Sequence, residues 1–485
     1  MRAELWLLAL AFAAGCGAAQ VLTRPEGNGG WSPERRTEEL QRRATAAAVS
    51  LDPGVPPATP EDMSTPLSLS DALALATTGN RRIAEAEQDV DAAAARVRET
   101  RGLLLPATTG SGRFTRYSSE LRNAIALPAG ILPSVTSPSF VIREKQSGRM
   151  NGGTTVPLDV TGQVWKTLTA AQAGYRGERA RAWATTLQQK VAVIRAYYDE
   201  LQAERLRTVV QQDIEADETQ LANAQQRYDS GRLTKNELLV VQVKLQDAQQ
   251  ELRQRELDID RARWNLNQET GRPVDAPTTV LDVGERPELP PVDDALRDAF
   301  ANNPVLLSLV EEQQRLEDTI AALVRSRLPH FEAGGTADWT SEHILQPQGV
   351  GSGYVGFSWD LGTDGRREAQ IAEARIQADK NRLAIERELR ELESAIRDTQ
   401  HAAAERLSAL DTARGAVGQA EENLRIRQQQ FDAGRATSED VLDAQLLLTR
   451  QRATLATALY EAHTRRAELQ ELMGLPLEAL ATVTR

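Results

Sequence analysis

The chain has 485 residues, of which 4% are aromatic and 26% charged, and its 69 acidic side chains outnumber 57 Lys and Arg to leave a formal charge of −12. Such a composition belongs to long helices rather than to a compact mixed globule, and the acidic balance excludes nucleic acid as the main partner. A single cysteine excludes a disulfide framework or a cysteine-based zinc site, and His330, His343, His401 and His463 lack the spacing of paired metal ligands. No apolar run reaches the ~18–20 residues of a spanning helix, so any membrane crossing has to be made by strands.

The amino terminus reads MRAELWLLALAFAAGC. Arg2 supplies a positive start, and Leu5 to Ala14 form an apolar core of signal-peptide size. Ala13, Ala14 and Gly15 then precede Cys16, a pattern that resembles a bacterial lipobox, after which the cysteine becomes the first residue and is acylated. The alternative is an ordinary secretory signal with an incidental cysteine; both place the mature chain outside the cytoplasm. Gly17 follows Cys16 where an aspartate would argue for inner-membrane retention. The expected order is therefore a signal peptide at 1–15 and a lipid-anchored tether at 16–66, rich in Pro, Gly, Ser, Thr and charge.

The remainder is written twice. Ser70-Asp71-Ala72-Leu73 with Asn80 recurs as Asp293-Asp294-Ala295-Leu296 with Asn303, and Leu105-Pro106 recurs as Leu328-Pro329, all at an offset of 223. Tyr228-Asp229-Ser230-Gly231-Arg232 recurs as Phe431-Asp432-Ala433-Gly434-Arg435 at an offset of 203, as do Gln242 and Gln445, Gly271 and Gly474, and Pro273 and Pro476. A constant offset over so many positions defines two copies, 67–289 and 290–485, the first with about 20 more residues between its Leu-Pro and its long helix.

Proline is missing from Leu158 to Arg272 and from Gln348 to Leu475. Because proline costs a helix interior ~3 kcal/mol, these stretches are helical, each interrupted by one glycine turn, at 229–231 and 432–434. The spacing predicts long helices over about 163–229 and 366–432 and shorter antiparallel partners over 235–270 and 438–473, capped by Thr234 and Ser438. Leu389, Ile396, Ala403, Leu410, Val417, Leu424 and Phe431 recur every seven residues; so do Leu187, Ile194 and Leu201, then Ile214, Leu221 and Tyr228 after a phase slip. A stride of seven predicts side-by-side coiled-coil packing.

Between each Leu-Pro and its long helix lie Gly-, Thr- and aromatic-containing stretches at 107–118 and 148–160, and at 330–343 and 350–361. Their length suits transmembrane barrel strands, which need ~9–11 residues. Four strands cannot close a pore, since the smallest bacterial barrel has about eight, so several chains would have to pool them. The segment 119–147 is unusually apolar for an external loop, which suits packing inside an assembled mouth or a surface-binding role.

The duplicated order of short helix, medium helix, strand pair, very long helix, glycine turn and medium helix resembles the TolC-type outer-membrane efflux family, specifically its lipid-anchored branch. LSLSDALALATTGN, RGLLLP, RYDSGRLTKNELLVVQ, ANNPVLLSLVEEQQ and QQFDAGRATSEDVLDAQ carry the resemblance, which spans about 67–480. It implies a mainly α fold with a small β part, a homotrimer with one shared outer-membrane β-barrel, and a periplasmic α-barrel. The chain would be the exit duct of a tripartite efflux or type I secretion system, working with a periplasmic adaptor and an energy-supplying inner-membrane pump. The tips at Gly231, Arg232, Leu233, Gly434, Arg435 and Ala436 would meet the adaptor. Asp440 and Asp443 fall where the family's pore-constricting aspartates lie, and Glu237 aligns with the carboxylate that latches its closed mouth. The latch partners differ: Phe431 stands at the tyrosine position and Ala436 at the arginine position, with Arg435 one residue earlier. The resemblance thus implies an acidic ring without the family's latch, and a resting mouth held by coiled-coil packing.

Two other classes compete. A structural periplasmic coiled-coil lipoprotein explains the heptads but not the matched strand stretches. An enzyme has its best argument in the Asp440 and Asp443 pair, yet no nucleophile with a base, phosphate-cradling loop or paired histidines accompany it. No cofactor is expected.

Overall fold

The computed structural model describes residues 66–124, 139–282, 286–343, 347–362 and 365–480. Cys16, the signal peptide and the tether up to residue 65 lie outside the described residues, as do positions 125–138 of the apolar segment.

The first copy runs α1 (Leu69–Gly79), α2 (Arg81–Gly102), β1 (Ala107–Arg116), β2 (Leu121–Ala124), β3 (Ser139–Arg143), β4 (Gln146–Leu158), α3 (Gln163–Asp229) and α4 (Lys235–Thr270). The second runs α5 (Val292–Asn302), α6 (Pro304–Arg325), β5 (His330–Thr340), β6 (Gly349–Ser358), α7 (Arg366–Asp432) and α8 (Ser438–Leu472). The two long helices have 67 residues each, about 100 Å at 1.5 Å per residue. The strands are displaced by a few residues from the expected stretches: β1 and β5 stop at Arg116 and Thr340, and β4 starts at Gln146. The short pair β2–β3 occupies both ends of the apolar segment and forms its own two-stranded sheet.

Matched residues of the two copies do matched structural work. Asn80 and Asn303 are helix N-caps: the Asn80 side chain accepts from Arg82 N at 2.9 Å and that of Asn303 from Leu306 N at 3.0 Å, satisfying amides that the first turn leaves free. The pairs Gly162/Gly365, Gly231/Gly434 and Gly271/Gly474 all take φ between 69° and 77°, where a Cβ is unfavourable. Gly271 also lies against Gly79, where an added Cβ would sit 2.7 Å from a carbonyl oxygen.

In each copy the medium helix folds back on the long one, α4 on α3 and α8 on α7, and α8 also packs against α3. The largest core lies midway along α3, where Leu187, Ile194, Tyr197 and Leu201 meet Leu73, Leu266, Tyr460 and Leu477. A smaller core in the second copy joins Ala295 and Ala299 to Leu392, Ile396 and Leu469. On α7 the expected heptad holds, with Ile396, Ala403, Leu410 and Phe431 buried and Leu389, Val417 and Leu424 half-buried. The lower half of α3 differs. Ile214 and Leu221 are half-buried and Tyr228 is exposed, whereas Asp213, Asp217, Gln220 and Ala224 form the buried stripe. Both stripes have helical spacing, and Leu221 of the expected one packs on the core at the tip end, so periodicity in apolar residues selects the less buried neighbour where the most buried face is polar. The cap of α8 is also corrected: Thr437, not Ser438, accepts from Asp440 N, and Ser438 is the buried first residue of the helix.

Candidate functional site

The four-stranded antiparallel sheet has the order β1-β4-β5-β6. Its register aligns Gly112, Met150, Trp339 and Gly349 across the sheet, and likewise Leu158, Phe331 and Phe357. Alternate residues of a strand face opposite sides, so these rows and those between them, such as Val156, Ala333 and Val355, share one face. No charge occurs on that face from Thr108 to Phe114 of β1, Gly148 to Leu158 of β4, Phe331 to Trp339 of β5 or Gly349 to Phe357 of β6. Its large side chains point into solvent in the single chain: Phe114 is 72% exposed, Val355 78% and Phe357 68%. Phe331 and Trp339 are eight residues apart on β5, about 26 Å along a strand. With strands tilted by about 40° that spans about 20 Å of height, within the ~25 Å apolar band, bounded by aromatic girdles, of an outer-membrane barrel.

The opposite face is polar and cross-linked. It carries Arg113, Arg149, Glu332 and Asp338, with the Asn151 amide donating to Asp338, a hydroxyl contact of 3.1 Å between Thr155 and Tyr354, and one of 2.7 Å between Thr336 and Ser352. Hydrophobic outside and polar inside is the pattern of a water-filled barrel. Among the described residues no helix is long and apolar enough to cross a membrane.

At the far ends of the long helices, the two tips have the same construction. After α3, Arg232 N donates to Arg227 O at 2.8 Å and Gly231 N to Tyr228 O at 2.9 Å. After α7, Arg435 N donates to Gln430 O at 2.8 Å and Gly434 N to Phe431 O at 3.0 Å. Both are Schellman turns closed by a left-handed glycine. Each is followed by a capping box, Thr234 with Glu237 and Thr437 with Asp440. Arg232, Gly231, Gly434 and Arg435 are exposed, while Leu233 and Ala436 are half-buried.

Glu237 and Asp440 are therefore equivalent residues, 203 apart, with the same local duty. Hydrogen bonds from the Thr234 hydroxyl and backbone hold the Glu237 carboxyl below the usual carboxylate range; those from Thr437 do the same for Asp440, helped by Arg427 at 3.8 Å. Asp443 lies three residues on, exposed at the surface of α8.

The tips are joined by a contact that sequence reasoning missed. The Arg227 guanidinium carbon lies 3.9 Å from the centre of the Phe431 ring, its Nη2 lies 3.3 Å from Asp432 Oδ1, and its Nη1 donates to Phe431 O at 3.4 Å. Phe431 is buried. Just inside the tips, Ala224 of α3, Leu238 and Val241 of α4 and Leu442 of α8 form a shared cluster. The signal for Arg227 was a break in the duplication: its counterpart 203 residues later is Gln430.

The family profile described as outer membrane efflux protein matches residues 72–272 and 295–475, together well over half of the chain. The chain belongs to the outer membrane efflux protein family. The gap between the two matches falls at the junction of the copies. Among solved structures, the fold is similar to the Campylobacter jejuni CmeC outer membrane channel, with 15% identity, TM-score 0.69, and coverage of 84% of this chain and 85% of that one. It is similar to the outer membrane protein VceC of Vibrio cholerae at 16% identity and TM-score 0.69, covering 84% and 96%. The open-state Neisseria gonorrhoeae MtrE outer membrane channel gives 17% identity and TM-score 0.67, covering 84% and 89%. No curated protein sequence matches the chain. Membership of this family makes the protein an outer-membrane efflux channel rather than an enzyme or a purely structural coiled coil.

Proposed function

We propose that three copies of the chain pool their sheets into one twelve-stranded barrel, with the long helices forming a periplasmic duct that ends at the helix tips. The observation that carries this is the single four-stranded sheet with one charge-free face and two edges, β1 and β6, that no other described strand pairs. An open edge within lipid leaves backbone donors and acceptors unsatisfied. Pairing β1 of one copy with β6 of the next removes every edge and turns the charge-free face outward. Mass measurement of the purified detergent complex tests this, with a trimer expected; a stable monomer that is soluble without detergent would end the reading.

The tips carry the adaptor-facing role, with an inner-membrane pump supplying the energy. Their exposed Arg232 and Arg435 beside left-handed glycines support that placement. Asp440 and Asp443, repeated by threefold symmetry, form two acidic rings at the narrow end. Cys16 is acylated and adds a lipid anchor to a barrel that already holds the membrane; loss of radioactive palmitate from Cys16→Ser, with transport largely kept, is the expected result.

A further inference from the structure

The two hairpins of one chain meet along α3 and α8, and this seam changes character along its length. Its upper part is apolar: Leu187, Ile194, Tyr198 and Leu201 share a core with Tyr460 and Ala467. Nearer the tips the buried stripe of α3 becomes Asp213, Asp217 and Gln220, at 6%, 1% and 5% exposure. The two levels are not satisfied equally. Asp213 bolts the hairpins together, since its Oδ1 accepts from Gln445 Nε2 at 3.1 Å and Thr449 Oγ1 at 2.9 Å, while Lys244 of α4 stands 3.9 Å from its Oδ2. One turn further on, neither carboxylate oxygen of Asp217 has a hydrogen-bond partner. Gln220 Nε2 and the Ser438 hydroxyl are also buried without one. Ser438 lies one turn before Leu442 on the same face of α8, the face that packs on the tip cluster.

These groups are already buried within a single chain. A buried carboxylate without donors is costly while ionised and much less so when protonated or hydrated. The second copy shows that the position itself tolerates an apolar residue: the counterparts of Asp213 and Asp217 are Ala416 and Ala420, and Ala420 is buried. The aspartate is therefore not needed to form the fold.

We propose that this polar stretch is a hydration hinge: ionised Asp217 favours a state in which the first turns of α8 part from α3 and admit water, and neutral Asp217 favours the closed seam. The rigid apolar seam above confines the motion to the tip end. Burial, with the like charge of Asp213, raises the Asp217 pKa to about 6, and Lys244 opposes the rise. The α8 side chains at the neighbouring level, Gln445 and Thr449, are neutral, and Arg452 is engaged with Gln212 and Glu421. With the closed-state pKa raised, the closed seam is strongest at low pH and weakens as pH climbs from about 4, the hydrated value, through 6. Between pH 5 and 7.5 the opening equilibrium should shift about tenfold.

Amide hydrogen exchange on the full-length detergent complex, with rates divided by the intrinsic rate at each pH, tests this. Protection over residues 438–452 of α8 should be about tenfold lower at pH 7.5 than at pH 5, with no such change over 460–469. Asp217→Asn and Asp217→Ala should both remove the pH dependence and stay protected at pH 7.5, whereas Glu218→Gln, at an exposed carboxylate next to Asp217 on α3, should keep the native response. Protection that does not vary with pH in the native protein, or a response that survives in either Asp217 variant, would overturn the hinge.

Discussion

The guanidinium of Arg227 stacks on the ring of Phe431, 204 residues away in sequence, and so joins the tips of the two helical hairpins. A half-buried cation–π contact contributes about 1–2 kcal/mol and an exposed ion pair such as that to Asp432 at most about 1. Arg227→Ala should therefore raise resting conductance in planar bilayers severalfold, with Arg227→Lys intermediate. Glu237→Ala should raise it only slightly, because Glu237 is spent on capping its own helix with Thr234. A large opening from Glu237→Ala with none from Arg227→Ala would assign the clamp to the wrong residue.

The proposed acidic ring is best tested without unwinding the helix that carries it. Asp440 closes the capping box with Thr437, so its replacement by alanine would fray α8 as well as remove charge. Asp440→Asn with Asp443→Asn keeps acceptors in place and should reduce cation selectivity and block by multivalent cations. Because hydrogen bonds from the Thr437 backbone and hydroxyl lower the Asp440 pKa, its charge, and the cap it supports, persist down through the usual carboxylate range and fade only as pH falls through the lowered value. The capped start of α8 should accordingly survive mild acid. Unaltered ion selectivity in the double variant would place the constriction elsewhere.

Glycines of identical conformation should differ in consequence. Gly231 and Gly434 have φ of 70° and open space around the missing Cβ, so valine costs roughly 1–2 kcal/mol from backbone strain alone. The expected product is a folded trimer that has lost adaptor cross-linking. Gly271→Val meets the same strain and also the Gly79 backbone, and thermal unfolding should show a much larger loss. Equal thermal losses at all three sites would contradict the packing described.

The two sheet faces can be told apart by one substitution each. Val355→Arg puts charge on the charge-free face, proposed to meet lipid, two residues from Phe357, and should cost about 2 kcal/mol of barrel stability. Ser352→Arg faces the polar side and should assemble normally. Urea unfolding of the reconstituted barrel compares them, and a greater loss from Ser352→Arg would invert the assignment of inside and outside.

Helix boundaries, glycine turns and the division into two copies were legible in the sequence because each rests on local chemistry. The proline-free stretches from Leu158 and from Gln348 and the left-handed glycines at 231 and 434 mark where a helix can run and where it must stop. The heptad of α7 was legible as well, since its packed face is apolar. Tertiary structure alone decided the partners. Pairing of β4 with β5 aligns Met150 with Trp339, and only that register reveals a face free of charge. A seven-residue stride says that one face of α3 packs but not against which helix, so Arg227 on Phe431 and Asp213 between Gln445 and Thr449 could not be read from spacing. The burial of Asp217 was hidden for the same reason: its environment is built by α4 and α8, and the alternative stripe of Ile214 and Leu221 on the same helix offered the more apolar pattern.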